Sequence, residues 1–250
     1  MIINLTILKL SEKVKAYVEE VERETGYTVS IENFQGEDAR VTLDHKHKYI
    51  HVEINEEGYK EDSEEEIDHT IAHEVTHEFL SLKKKYCRLS CGDEMRDTVE
   101  RLVIRLASMV EDIVVNKIIQ KKNFRPDYTQ YLLARKGLDY HGMYNSDPIY
   151  NDMFMVSRYI QAWGILRYFN PGEIDKKTIH EFLKIFQKSY PKQHEEAKKI
   201  KGIILENNIF TPEGYCKTIK KCLDLWNFTH LVGIYTCQRY DIIITNNTNI

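Results

Sequence analysis

The residue types with the most evident chemistry in this chain stand together in the run His73-Glu74-Val75-Thr76-His77, which has the form H-E-x-x-H. Histidines four residues apart lie on the same face of a helix, so one ring nitrogen of each can point at the same ion. Glu74 lies one step around the helix from His73, where its carboxylate can reach a water molecule held on that ion. The spacing therefore predicts two metal ligands and a general base on one helix.

The flanking sequence predicts the helix that this spacing requires. Ser63-Glu64-Glu65-Glu66 forms a capping box, in which the serine accepts from the first turn and the last glutamate reaches back to the serine. We expect the helix to run from about residue 63 to about residue 84. The motif lies in an apolar part of this helix, where two histidines and a glutamate that bind nothing would carry a desolvation cost. A bound metal is the favoured interpretation, and satisfied or surface histidines are the alternative.

A third ligand is expected elsewhere, because catalytic zinc commonly takes three protein ligands and leaves a fourth position for water. A second long helix, predicted from about residue 93 to about residue 121, carries the candidates. Glu111 falls on an apolar stripe of this helix, where a carboxylate is costly without a cation, and it is the preferred ligand. Asp112 is the alternative ligand, and either Asp112 or Asn116 is expected to orient a ligand histidine. An exposed acidic pair that binds no metal is the remaining interpretation.

These two motifs resemble those of the gluzincin branch of the zincin metallopeptidases, over about residues 41 to 120. The resemblance implies one Zn²⁺ ion, an upper lobe with a small sheet whose edge strand receives an extended peptide, and a helical lower lobe. The 47–54 segment would be that edge strand. The thermolysin-type pattern has Asp four residues after the ligand Glu, whereas this chain has Val115 there. The metzincin pattern is excluded, because Leu80 and Lys83 replace the Gly and the His that it needs.

The resemblance also implies roles in peptide hydrolysis. A zinc held by His73, His77 and Glu111 would activate a water molecule, and Glu74 would pass the proton of that water to the leaving amine. A further donor should stabilise the oxyanion. The candidates for this donor lie in an irregular segment and are Tyr140, His141 and Tyr144. The substrate would be a peptide or a protein. The alternative is a catalytically silent zincin-like binding or assembly module, although such a protein would often lack Glu74.

The remaining pattern predicts an α+β, zincin-like fold. Residues 1–125 would form the upper lobe, with a small N-terminal sheet, and residues 126–250 a mostly helical lower lobe that completes the cleft. A first helix is predicted over about residues 11–24 and strands over about residues 27–31 and 49–54. The later helices are predicted over about residues 153–169, 175–190, 192–206 and 211–227. From residue 228 onward the pattern does not distinguish strand from helix.

Composition limits the partners and the location. The 250 residues include 35 basic and 39 acidic side chains, a net charge of -4, and this lack of a basic surplus argues against a nucleic-acid partner. No apolar stretch approaches about 18 residues and the N-terminus does not resemble a signal peptide, so no membrane association and a cytoplasmic location are expected. Five cysteines without paired C-x2-C spacing predict reduced thiols. A Cys87–Cys91 or a Cys216–Cys222 bridge is the alternative.

Overall fold

The computed structural model describes residues 1–5, 8–36, 39–59, 64–91, 97–124, 148–169, 171–236 and 239–243. These residues adopt an α+β fold, with an N-terminal four-stranded mixed sheet followed by a mostly helical region, which confirms the predicted fold class. The chain divides into two compact units. The first combines Met1–Lys85 with Val115–Asp127, and the second combines Tyr86–Val114 with Tyr128–Ile250. The lobe boundary predicted near residue 125 lies outside the described residues and stays a prediction.

The N-terminal sheet contains the strands β1 (Ile2–Asn4), β2 (Thr28–Asn33), β3 (Arg40–Asp44) and β4 (Tyr49–Ile54), in the order β1-β2-β4-β3. The strands β1, β2 and β4 are parallel, and β3 is antiparallel to β4. Alternate residues of the two central strands point to one face and are fully buried there, as the period of two requires. These residues are Val29, Ile31, Ile50, Val52 and Ile54.

The sheet order corrects the prediction for the 47–54 segment. β4 is not an edge strand, because it pairs with β2 on one side and with β3 on the other. The antiparallel edge strand is β3, which the sequence pattern did not reveal. Its five residues alternate weakly between Val41 or Leu43 and polar neighbours, and an edge strand needs a hydrogen-bonded partner on one side only. Strand order is therefore a tertiary property that a local pattern does not contain.

Two helices pack on the buried face of this sheet. Helix α1 (Glu12–Thr25) begins at Ser11, whose side chain accepts from the backbone of Val14, and ends at Gly26 in the left-handed conformation. Helix α2 (Glu64–Leu82) carries the H-E-x-x-H motif, at the place predicted for it. The predicted cap residue Ser63 lies outside the described residues. Both helices contribute fully buried side chains to one core with the sheet, among them Val14, Val18, Val21, Ile71, Ala72 and Val75.

Helix α3 (Asp97–Lys121) is a single helix of 25 residues, in agreement with the second predicted helix. Its residues up to Val114 belong to the second unit, and those from Val115 belong to the first. Ile119 and the following Phe124 are buried in the core of the first unit. The apolar residues of α3 therefore serve two cores along one helix, which explains its long, unbroken hydrophobic period.

The second unit is mostly helical, with α4 (Pro148–Tyr168), α5 (Glu173–Ser189), α6 (Pro191–Glu206) and α7 (Pro212–Leu225). These helices confirm the predicted C-terminal set, and Thr211 caps α7 by accepting from the backbone of Gly214. A second, antiparallel sheet contains β5 (Arg88–Cys91), β6 (Val232–Thr236) and β7 (Arg239–Ile243), in that order. The strand β5 was not predicted, because its partner β6 is far away in the chain. Among the described helices, none combines the length and the apolar composition needed to cross a bilayer.

The described cysteine side chains are reduced. Cys87, Cys216 and Cys222 are free thiols, which rules out the Cys216–Cys222 bridge and also a bridge from Cys87 to Cys91. Instead, the thiols of Cys87 and Cys216 are hydrogen-bonded to each other. Burial raises the pKa of the Cys222 thiol to about 12, so this side chain behaves as a small apolar residue.

Candidate metal centre

The motif helix α2 is fixed on its sheet side, which leaves its other face for chemistry. Thr76 donates from its hydroxyl to the carbonyl oxygen of Ala72 at 2.5 Å, and Tyr17 of α1 donates to the Thr76 hydroxyl at 2.7 Å. Burial raises the pKa of Tyr17 to about 12, so this donor stays protonated. Thr76 lies between the two motif histidines in sequence, and its buried contacts hold this turn of the helix in place.

His73 and His77, called here the histidine pair, are half-buried and lie one helical turn apart on α2. Their Nε2 atoms are 3.1 Å apart, and their rings meet edge to face with centroids 4.8 Å apart. Two nitrogens bound to one tetrahedral zinc at about 2.05 Å lie about 3.3 Å apart. The histidine pair therefore has the spacing of two nitrogen ligands that share one ion.

Asn116 of α3 sets the orientation of the first of these rings. Its Oδ1 atom lies 3.3 Å from Nδ1 of His73 and 3.2 Å from Nε2 of His69. A carboxamide oxygen has two lone pairs and can accept from both rings. When His73 donates from Nδ1, its Nε2 keeps a lone pair directed towards His77. This is the kind of outer contact that fixes the tautomer of a metal-binding histidine.

Asp112 completes a group with the histidine pair. One carboxylate oxygen of Asp112 and one ring nitrogen of each histidine all lie within 4.8 Å of one another, and all three residues are half-buried. Asp112 precedes Asn116 by one turn of α3, so the same face of this helix supplies both residues. The group of His73, His77 and Asp112 can hold a metal ion.

Glu111, the preferred ligand at the sequence level, is not a member of this group among the described residues. Burial, followed by the charge of Glu111, raises the pKa of the Tyr215 phenol. The pKa of the Cys87 thiol is raised by the hydrogen bond that it donates to Cys216, then by burial and the charge of Cys216, and after these by the charge of Glu111. The apolar stripe that favoured Glu111 also includes Ile104, which is 54% exposed, so the stripe is not a uniformly buried surface.

Gln161 of α4 is a site residue that the sequence analysis missed. It donates from Nε2 to Oδ2 of Asp112 at 2.5 Å, within the second unit. Its neighbours Ile160 and Ala162 are fully buried. A glutamine inside such a buried stretch of helix was a usable signal, because a buried carboxamide needs partners.

Glu74, the predicted general base, is half-buried and directly follows His73 on α2. It lies on the same helical turn as His73, and its role as general base stays a prediction. The three predicted oxyanion donors, Tyr140, His141 and Tyr144, lie outside the described residues.

Three further histidines, which belong to the N-terminal sheet and its turn, have protein partners of their own. In each pair, the Nδ1 atom lies 2.7 to 3.0 Å from a hydroxyl or carboxylate oxygen. The pairs are His45 with Tyr27, His47 with Asp44, and His51 with Ser30. These contacts give each of the three histidines a partner within the sheet and its turn.

Comparison of the chain with protein-family models, with curated proteins and with solved structures finds no match. The functional argument therefore rests on the arrangement of the side chains themselves.

Proposed function

We propose that this protein is a zinc-dependent metallopeptidase that hydrolyses peptide bonds with a metal-activated water and Glu74 as general base. The observation that carries the proposal is the 3.1 Å approach of the two Nε2 atoms of the histidine pair, on the same helix as Glu74. With one ring protonated at Nε2 the contact is a hydrogen bond, whereas with both Nε2 atoms unprotonated the same spacing lets one cation bind both.

The residues present fit a zinc ion. His73, His77 and Asp112 offer two nitrogens and one carboxylate oxygen, which are preferred zinc donors, and three protein ligands leave a fourth position for water. Asn116 supplies the outer hydrogen bond that a ligand histidine needs. We take Asp112 as the third ligand, in place of Glu111, because Asp112 is the carboxylate grouped with the histidine pair.

In the proposed reaction, the ion would activate the water and Glu74 would transfer the proton. A zinc ion held by these residues would lower the pKa of a water molecule to about 7 and polarise a carbonyl group. Glu74 would accept a proton from the attacking water as the oxygen of that water forms a bond to the scissile carbonyl carbon. It then donates the proton to the leaving amine nitrogen as the C–N bond breaks. Asn116 and the buried contacts of Thr76 hold the His73 ring and the turn of α2 that carries Glu74 in place.

The zincin resemblance implies that the peptide adds to an edge strand, and β3 is the strand that fits this role. Among the described strands, β3 pairs with β4 only, and it is antiparallel to the rest of the sheet. It also lies against α2, within the first unit. An extended peptide can pair with such an edge through main-chain hydrogen bonds, and its alternate side chains then give specificity.

The test compares Glu74→Gln with the parent protein in a broad peptide-library assay, together with the zinc content of both. We expect the variant to keep stoichiometric zinc and to lose about 10²- to 10⁴-fold in hydrolysis, because only the proton carrier is removed. Glu65→Gln, the same change at an exposed position in the first turn of α2, is the control and should keep full activity.

Two outcomes would contradict the proposal. Full peptidase activity of Glu74→Gln would remove Glu74 from the mechanism. Stoichiometric zinc in a parent protein that cleaves no peptide would favour the second candidate, a catalytically silent zincin-like binding or assembly module.

A further inference from the structure

Two cysteines of the second unit, Cys87 and Cys216, are far apart in the chain, but their thiols are hydrogen-bonded to each other. We propose that they form a redox site, in which hydrogen peroxide oxidises Cys216 and Cys87 then closes a reversible disulfide with it. The peptidase chemistry proposed above uses neither thiol, so this inference goes beyond that function and does not depend on it.

The placement of the two thiols is the first argument. Cys87 directly precedes β5, and Cys216 lies in the second turn of α7. The residues just before them, Tyr86 and Tyr215, are buried and pack ring against ring, with centroids 5.1 Å apart. This aromatic contact holds the same two segments together independently of the sulfur atoms. A disulfide needs two side chains directed at each other, and the hydrogen bond from Cys87 to Cys216 already directs them so.

The difference between the two thiols is the second argument. Cys87 is 5% exposed and Cys216 is half-buried, so a small oxidant reaches Cys216 more readily. The hydrogen bond from Cys87 lowers the pKa of Cys216, and burial opposes this shift. Peroxides react with thiolates, and cysteines that sense them combine thiolate character and access with a second cysteine nearby. This arrangement gives Cys216 the first step and Cys87 the second.

The reaction consumes one hydrogen peroxide and releases two water molecules. The thiolate sulfur of Cys216 attacks a peroxide oxygen, the O–O bond breaks, and the leaving hydroxide takes up the proton that the thiol gave up. The product is a sulfenic acid on Cys216. The sulfur of Cys87 then attacks the sulfur of Cys216, and the S–O bond breaks as the S–S bond forms. The departing hydroxide takes the proton of the Cys87 thiol, and the two sulfurs together have given two electrons to the peroxide.

Cys222, on the same helix α7, provides an internal control. It is fully buried, and burial raises the pKa of its thiol to about 12. A thiol with so little thiolate at neutral pH is oxidised slowly, and we expect Cys222 to react at least about 10-fold more slowly than Cys216. The comparison separates a site built from two thiols from general oxidation of cysteine.

The test treats the folded parent protein with hydrogen peroxide, alkylates the remaining thiols after denaturation, and maps the peptides by mass spectrometry without reduction. We expect the Cys87 and Cys216 peptides to be linked, with a mass about 2 Da below the sum of the two reduced peptides. A thiol reductant should restore both thiols. Cys222 should be recovered alkylated, and Cys222→Ala should form the same link at the rate of the parent.

A second variant traces the order of the two steps. In Cys87→Ala, the sulfenic acid on Cys216 lacks the thiol that would resolve it and should advance to the sulfinic acid, a gain of about 32 Da on that peptide. If this variant does not fold, the peptide map of the parent decides alone. Recovery of Cys87 and Cys216 as fully alkylated as Cys222, or a disulfide between other cysteines in their place, would overturn the redox site and leave the proposed peptidase function intact.

Discussion

Two histidine environments in this protein differ in what their ring nitrogens face. In the first unit, the Nε2 atoms of His73 and His77 face each other at 3.1 Å. In the second unit, His194 of α6 is 7% exposed, and its Nε2 lies 3.2 Å from the hydroxyl of Tyr159, with the rings edge to face. The first arrangement brings two potential ligands together, whereas the second gives one histidine a protein partner.

This difference separates a candidate metal site from a structural histidine. An imidazole bonded to a phenol has its polar atom satisfied inside the protein, so it needs no cation. The two Nε2 atoms of the histidine pair are at the spacing of two ligands of one ion, and the contact of Asn116 with Nδ1 of His73 is compatible with an unprotonated Nε2 on that ring. The chemistry of a histidine therefore depends on what its second nitrogen and its neighbour offer.

The largest expected effect is the loss of zinc binding when one histidine of the pair is removed. His77→Ala should remove stoichiometric zinc, whereas His194→Ala should keep it. Zinc binding to sites with four ligands is worth about 10 to 16 kcal/mol, so one ligand is expected to carry about 3 kcal/mol, or a loss of at least about 100-fold in affinity. Metal analysis of the two purified variants checks this. Equal zinc content in both would contradict the assignment of the histidine pair.

An intermediate effect concerns the coupling of zinc to stability. Free zinc at about 100 times its dissociation constant should add about 2.7 kcal/mol to the free energy of unfolding of the metal-binding state. We expect amide hydrogen exchange to slow along α2 in the parent protein on addition of zinc, and a chelator to reverse the effect. In His77→Ala, the same addition should change nothing. Slowing of α6 alone would place the metal elsewhere.

The smallest expected effect is the pH dependence of stability that His194 contributes. Burial, together with the charges of Lys198 and Lys201, lowers the pKa of His194 below its ordinary value, while Glu195 opposes this shift. Because the unfolded chain then binds the proton more readily, the associated stability is complete above pH ~6.5. It is lost as the pH falls from there through the lower pKa of the folded state.

The measurement compares the free energy of unfolding of the parent and His194→Gln above and below this range. The parent should lose more stability on acidification, because glutamine has no proton to bind. Equal losses in the two proteins would show that His194 does not carry this pH dependence.

Much of the fold could be predicted from the sequence where the signals are local. Ser11 and Gly26 bound α1, and Thr211 bounds α7, because caps act within one turn of the chain. The strands β3 and β5 could not be predicted in the same way. Their short, mixed sequences form strands only in the presence of partners, and β5 pairs with a strand that lies far beyond α4 in the chain.

The candidate site shows the same division. The placement of His73, Glu74 and His77 on one helix was predicted from their spacing alone, because residues four apart lie on the same helix face. The outer role proposed for Asn116 followed from the same helical reasoning on α3. Gln161 could not be connected to Asp112 from the sequence, since no periodicity relates two residues of different helices.

The sequence by itself predicted that two candidate ligands and a candidate base share one helix, and that a second helix bears the candidate carboxylates. Only the tertiary structure decided which carboxylate meets the histidine pair. Glu111 and Asp112 are adjacent, but neighbouring residues project about 100° apart around a helix. A sequence pattern that places both on one helix does not choose between them, and among the described residues the structure groups Asp112, and not Glu111, with His73 and His77.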